Sequence, residues 1–419
     1  MSDSEDTDAS VVTEWPVTPV TKEWLETILL IYHNEQKSIL TVNDFEVNPG
    51  CTAGESVLSD IIAVNIDYTL GDDNMKLNVI VKLLPQDPFN RFFVTEAQFD
   101  LREIKFYTQV VGELEIFQKN HRVFQAQPIE LPIPKCIHAH YKPAGGTEDT
   151  PEPPESFLVL ENLRDRGYEG AKFSRGLTLR QTEAALSAIA CVHALSLTLK
   201  VREETPLSER YKFLFQTARA TDSYQMLVER GLPQLAHFLE RRPGLEAVLE
   251  SLLALRPKTK EIISSLLAPE GPLALITHTD FWCNNLLFKN DDDGNCKCAI
   301  LDWQMVTYSR PTNDIALLLV SSVPTELRRT NTPGLLDKYW ETLTTTCRSL
   351  GLDISEELGY GRDDLERDYQ RSQLLALLLC IGSVDVAFGD PLTEQRLIDV
   401  LEDFHRDGVL NVDSIEAAK

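Results

Sequence analysis

Apolar side chains recur along the chain with two different periods, and the switches between them predict the order of its elements. Positions 21–34, TKEWLETILLIYHN, carry Trp24, Leu25, Ile28, Leu29 and Tyr32 at helical spacing, a stripe along one face. The period then shortens. IIAVNIDYTL (Ile61 to Leu70) and KLNVIVKLL (Lys76 to Leu84) are β-rich runs joined by GDDNM, which predicts a hairpin. FNRFFVTEAQFDLREIKFYTQVV returns to helical spacing through Phe99, Ile104, Phe106 and Tyr107, so the order is strand, strand, helix. PIPKCIHAHY and SFLVLENL predict two more strands, separated by KPAGGTEDTPEPPE, whose Pro, Gly and acidic residues predict an exposed loop. Beyond Leu163 the pattern is helical, with Thr178 and Gln181 spaced as a capping box ahead of AALSAIACVHALSL. The exceptions are ALITH, NNLLFKN and CKCAILDW, short strands with an Asp293-Gly294 turn between the last two. No repeat at solenoid spacing is present.

Composition narrows the class. With 419 residues and 43% hydrophobic content the chain can build a large core, and two lobes are expected. Lys and Arg number 40 against 65 Asp and Glu, a formal charge of -25 that repels nucleic acid and anionic membranes, so neither is expected as a partner. MSDSEDTDAS lacks the features of a signal or transit peptide and predicts a flexible acidic tail over residues 1–20. The longest apolar run, LLALLLCIG, is about half of the roughly 20 residues a membrane span needs and predicts a buried helix. Eight Cys without a CxxC pair read as reduced thiols, which points to a cytoplasmic protein. Cys296 and Cys298 have no matching His or Cys cluster, and Asp291 to Asp293 read as a hairpin turn because no Glu closes a calcium loop.

The stretch HTDFWCNNLLF sets a polar cluster between apolar segments, and polar groups held there need partners or a task. Asp280 precedes Asn285 by five residues, and Asp302 in ILDWQ follows a hairpin later. One carboxylate near a hydroxyl, with an Asn and a second carboxylate able to hold Mg²⁺, is what phosphoryl transfer from ATP needs. The spacing matches H-R-D-x-x-x-x-N followed by D-F-G. Upstream, Lys82 interrupts the apolar run VIVKLL and needs a partner, for which Glu103 on the next helix is the candidate. Gly50 and Gly54 in NPGCTAGESVLSDI are candidates for covering phosphates with backbone N–H groups, although the segment is not a GxGxxG. Taken alone, Asp280, Asn285 and Asp302 also fit a loop that satisfies only its own backbone. Glu103 alone fits a solvated helix face. Lys82 and Glu103 in kinase order favour the chemical reading.

HTDFWCNN, ILDWQ, IVKLLP, the FDLREIKFY helix and the FLVLENL strand together resemble the ecdysteroid kinase-like family, relatives of choline kinases and aminoglycoside phosphotransferases. The resemblance runs in order over roughly residues 40 to 350. It implies an α+β, two-lobed protein kinase-like fold. An N-terminal nucleotide-binding lobe, residues 21–162, would hold an antiparallel sheet and one main helix. A larger, mostly helical C-terminal lobe, residues 163–419, would hold the catalytic and substrate sites. It further implies Asp280 as catalytic base, Asn285 and Asp302 as metal ligands, and Lys82 with Glu103 at the nucleotide phosphates. Glu161, Asn162 and Leu163 would form an adenine-binding hinge through backbone groups. ATP and Mg²⁺ are the implied cofactors, and the implied acceptor is a hydroxyl of an ecdysteroid or another steroid-like or xenobiotic alcohol.

Thr279 stands where the family usually has Gly, and Trp303 where it usually has Phe; neither exchange removes a chemical group. His278 is expected to organise its loop by hydrogen bonding, Asp314 to be structural and His193 to be a core histidine. Trp282 either stacks on a ligand or plugs the core. Three alternatives remain. A choline or ethanolamine kinase would suit the acidic balance. A pseudokinase would be expected to lack Lys82, Asp280, Asn285 or Asp302, all of which are present. A plain helical interaction protein leaves the order of these residues unexplained. The acceptor pocket is expected among the helices between about Tyr211 and Ser265 and the C-terminal helices.

Overall fold

The computed structural model describes residues 20–34, 39–51, 58–123, 126–147, 151–269 and 271–411. Gly54 and nearly all of the acidic tail lie outside them. Helix α1 (Lys22–His33) starts at Thr21, whose hydroxyl accepts from Trp24 N at 3.2 Å, and it buries Leu25, Ile28 and Leu29. Each of those side chains contributes about 1.5–3 kcal/mol by leaving water. The sheet beneath it contains β1 (Leu40–Pro49), β2 (Asp60–Leu70), β3 (Asp73–Leu83) and β4 (Cys136–Lys142). After the short pair β5 (Gly145–Gly146) and β6 (Pro151–Glu152), β7 (Glu155–Glu161) completes it, in the antiparallel order β1-β2-β3-β7-β4.

Strand β1 is an addition to the pattern read from the sequence. Only Leu40 and Val42 are buried along it, so an edge strand of ten residues carries almost no apolar signal. Gly50 follows it and leads toward β2. A Cβ there would lie 2.9 Å from the Ile61 and Ile62 carbonyl carbons, so the close approach requires glycine.

The single helix expected after β3 is instead broken. Helix α2 (Pro88–Glu96) is capped by Asp87 and stops before Gln98, which adopts φ 57. Helix α3 (Phe99–Lys105) then widens into a π turn over Phe106–Val110 before α4 (Val111–His121). Thr108 Oγ1 donates to the Ile104 carbonyl at 2.7 Å within this widened turn. Strand alternation gives β7 two apolar faces: Phe157 and Val159 join the core under α1, while Leu158 and Leu160 join the core shared with α3 and the helices beyond.

The remaining strand segments are β8 (Glu169–Gly170), β9 (Leu275–Thr277), β10 (Leu286–Asn290), β11 (Cys296–Ile300) and β12 (Thr307–Ser309). The helices are α5 (Leu179–Arg202), α6 (Leu207–Arg210), α7 (Thr217–Glu240), α8 (Glu246–Leu255), α9 (Thr259–Leu267), α10 (Thr312–Ser322), α11 (Thr325–Ser349), α12 (Ile354–Leu358), α13 (Arg362–Gly382) and α14 (Pro391–Arg406). The capping box forms as expected, with Gln181 N on Thr178 Oγ1 at 3.3 Å and Thr178 N on Gln181 Oε1 at 3.0 Å. Helix α5 is long and apolar enough to cross a membrane by length and composition, and most of it is buried in the core. The run LLALLLCIG lies in α13, as expected for a buried helix. Antiparallel pairs β9–β12 and β10–β11 bracket the two polar loops that carry the candidate chemistry.

Candidate active site

Along β3, Val79 and Val81 face the sheet core, so period-two alternation turns Ile80 and Lys82 toward the cleft. Lys82 Nζ lies 2.7 Å from Glu103 Oε2 on α3 and 2.7 Å from Asp302 Oδ1. Burial alone would lower the lysine pKa, but the carboxylates of Asp302 and then Glu103 outweigh it and hold the group above its usual value. Burial pushes the Glu103 carboxyl up, against the pull of Lys82. Asp302 takes a left-handed conformation, φ 60, directly after β11 and Leu301. Behind it Trp303 is fully buried. Its ring stacks on Phe106 at 4.0 Å and lies 4.6 Å from the His278 ring.

The loop after β9 is held by its own polar residues. Asp314, buried at the start of α10, accepts from His278 N at 2.8 Å and from Thr279 N at 2.7 Å. His193 Nε2 reaches the same carboxylate at 3.1 Å, and its Nδ1 meets the Tyr339 hydroxyl at 2.8 Å. Asp314 therefore braces the loop as well as standing in the first turn of α10. His193 is a core histidine, as expected, but it works as a polar brace. The sequence held no sign of this, because a His in an apolar helix has the pattern of any buried residue.

His278 Nε2 lies 2.8 Å from the Leu301 carbonyl, which can only accept, so the proton sits on Nε2. Nδ1 is then free to accept from Asp280 N at 3.2 Å. Burial lowers the His278 pKa, which keeps the ring neutral in this role. The loop-organising function expected for His278 is what the geometry provides. Thr279 sits at φ 66, a conformation that is strained for a β-branched residue.

Asn285 Nδ2 donates to Asp280 Oδ2 and to the Asp280 carbonyl, each at 2.9 Å, so its own side-chain oxygen remains for another ligand. The Asp280 carboxyl is pushed up to about 7, first by burial and then by the Asp302 carboxylate, with the Asn285 bond opposing the shift. Three carboxylates, Glu103, Asp280 and Asp302, share this cleft with Lys82, the cation that Glu103 and Asp302 pair with. A divalent cation would offset carboxylate charge, and the donors present are hard oxygens of the kind Mg²⁺ takes. Among the described residues no group of three or more His, Cys, Asp or Glu is placed to hold a metal ion.

Lys82, Glu103, Asp280, Asn285 and Asp302 border one cleft of about 1160 Å³, as do Gly50, Glu161, Asn162 and Leu163. Glu161 N donates to the Lys135 carbonyl at 2.9 Å and Asn162 N to the Asn78 carbonyl at 3.1 Å, so these two donors are already used. At its other end the cleft is lined by Phe173, Trp282, Met305, Leu227 of α7 and Leu378 of α13. Trp282 meets Phe173 edge-on, ring centres 5.5 Å apart. Phe173 and Met305 carried no motif in the sequence.

A model of the ecdysteroid kinase-like family matches residues 53–352. The chain belongs to that family. The resemblance read from HTDFWCNN, ILDWQ and IVKLLP is thereby borne out, and membership makes the chain one of the small-molecule kinases. The kinase-like chain is similar to a solved choline kinase from Cryptosporidium parvum Iowa II, with 12% identity, 94% of this chain and 99% of that chain covered, and a TM-score of 0.47. It is similar to Plasmodium vivax ethanolamine kinase with 13% identity, coverage of 95% and 93%, and a TM-score of 0.43. For the GDP complex of wild-type aminoglycoside 2'-phosphotransferase-IIIa the values are 9% identity, coverage of 93% and 100%, and a TM-score of 0.38. No curated protein matches the chain.

Proposed function

We propose that the protein transfers the γ-phosphoryl group of ATP to a hydroxyl of a small, largely apolar molecule. The observation that carries this reading is the convergence on one cleft of Lys82, paired with Glu103 and Asp302, and of Asp280, paired with Asn285. In this reading Asp280 accepts or orients the hydroxyl proton of the acceptor, and Asn285 fixes the carboxylate that does so. Lys82, held by Glu103, offsets phosphate charge. Asn285 and Asp302 would hold Mg²⁺, which supplies positive charge to the transferring phosphoryl oxygens. Gly50 borders the phosphate end, and the segment Glu161 to Leu163 borders the adenine end.

The apolar lining beside Asp280 supports an ecdysteroid or another steroid-like or xenobiotic alcohol as acceptor. A choline or ethanolamine type acceptor has one feature in its favour, the aromatic pair Phe173 and Trp282, which suits an ammonium group. Lys172 and Arg230 on the same cleft oppose a cation, while Asp280 and Asp385 on it favour one.

The test is a screen of hydroxylated compounds, sterols and choline included, for ATP-dependent phosphorylation read by mass. Asp280→Asn is expected to lower kcat by about 10²–10⁴-fold while ATP affinity stays within a few-fold. Turnover by the variant at the wild-type rate would remove Asp280 from its role.

A further inference from the structure

Arg396 on α14 is a buried cation at 6% exposure, and among the described residues no carboxylate pairs with it. It donates one N–H to the Phe173 carbonyl at 2.8 Å, and its guanidinium lies 4.7 Å above the centre of the Phe173 ring. The remaining donors have no anion to meet. Asp390, the acidic residue that acts on it electrostatically, accepts from Leu392 N and Thr393 N as the cap of α14. A buried guanidinium without a counter-charge is costly, and such a cost points to a missing acceptor.

Arg396 borders a second cavity of about 70 Å³, along with Asp280, Trp282, Phe173 and Cys380. Asp280, Trp282 and Phe173 also line the main cleft, so the small cavity opens off the acceptor end of the site. The Trp282 indole N–H is buried and makes no hydrogen bond of good geometry, although it lies near enough to the Asp280 carboxyl to lower its pKa. The candidate base Asp280 and the Arg396 guanidinium thus both line this cavity, with Cys380 on its wall. A buried guanidinium without a carboxylate partner and an indole N–H without a well-formed hydrogen bond therefore border one small space beside Asp280, and the other walls include apolar Leu377, Leu397 and Val400.

We propose that this cavity is a subsite that takes a carboxylate or carbonyl oxygen of the alcohol being phosphorylated, bound by Arg396 and the Trp282 indole. The proposal rests on the reading of Asp280 as the mark of the acceptor end. A space of about 70 Å³ holds a few waters, so it admits a small oxygen-bearing group. A compact ammonium group would meet Arg396 with like charge and is rejected there.

Binding without turnover tests the subsite directly. Butyrate, 2-butanone and tetramethylammonium are titrated against the nucleotide-free protein, followed by tryptophan fluorescence and melting temperature. Saturable binding of butyrate or butanone is expected, weakened at least tenfold by Arg396→Met, with the fluorescence response lost in Trp282→Phe. Arg396→Met should fold, because it removes an uncompensated charge. Should it not fold, Arg396→Lys makes the comparison through weakened butanone binding. The absence of saturable binding, binding unchanged in the Arg396 variants, or binding of tetramethylammonium alone overturns the proposal.

A second arm uses matched pairs of alcohols in the phosphorylation assay: a ketone-bearing hydroxysteroid with its deoxo analogue, and a hydroxy acid with its methyl ester. The wild type should favour the ketone or the acid by tenfold or more in kcat/KM, and Arg396→Met should level the pair. Equal kcat/KM within both pairs in the wild type overturns the substrate role. Carboxylate or ketone binding that depends on Arg396, with no turnover on any pair, sinks the kinase reading and leaves the oxygen-binding subsite standing.

Discussion

Thr279 holds a left-handed backbone, φ 66, that costs a β-branched residue roughly 1–2 kcal/mol. Its N–H on Asp314 and its hydroxyl, 3.1 Å from Thr277 Oγ1, keep it there. Glycine would relieve the strain and lose the hydroxyl, whereas valine would keep the strain and lose the hydroxyl too. Thr279→Gly is therefore expected within about 1 kcal/mol of wild-type stability and Thr279→Val about 1–3 kcal/mol below it, by urea unfolding. A valine variant as stable as the glycine variant would show that no strain is stored at this position. The sequence identified the exchange at 279 but not its backbone angle, because φ depends on what Asp314 pulls from 35 residues away. Lys82 was legible for the opposite reason, since a charge in an apolar run breaks a local pattern, and Glu103 was legible only by its place on the helix after Lys82. The stack of Trp303 on Phe106 was not legible, since both residues read as core.

At the level of elements, α11 and α14 are tied by Asp403, which meets Arg328 at 2.6 Å and Arg329 at 2.9 Å. Burial would raise the Asp403 carboxyl, but the bonds from Arg329 and Arg328 prevail and hold it below its usual range. With the folded pKa depressed, the pair stabilises the protein above the unfolded Asp value of about 4 and ceases to do so as pH falls through the folded value. Asp403→Asn is expected to cost about 2–4 kcal/mol at neutral pH and to flatten the stability loss below about pH 4. Unfolding midpoints at neutral and acidic pH check this, and a variant with the wild-type acid response would disprove it. Elements with strong periodicity, such as α5 and the β2–β3 hairpin, could be read directly from the chain. Strand β1 could not, because its partner β2 covers it while most of its own side chains face solvent. The break between α2 and α3 was hidden as well, since Gln98 is no helix breaker and its residue type does not announce its positive φ.

For the whole molecule, the ion pair that defines the cleft joins residues 220 positions apart, Lys82 and Asp302. A ligand that binds only this assembled site stabilises the fold by about 2.7 kcal/mol at a hundredfold excess over Kd. Mg²⁺ with ATP is thus expected to raise Tm above ATP with chelator, and Asp302→Asn should abolish that difference; an undiminished difference would count against Asp302 as a metal ligand. By itself the sequence determined the candidate groups, their order and the family they resemble, because residue type, spacing and period are local properties. Tertiary structure alone decided that Lys82 sits between Glu103 and Asp302, that burial and then the Asp302 carboxylate push Asp280 up to about 7, and that Arg396, without a carboxylate partner, lines a cavity that Asp280 also borders. Those outcomes depend on distances set by packed cores between remote segments, and electrostatic energy in a buried site follows distance and burial rather than order along the chain.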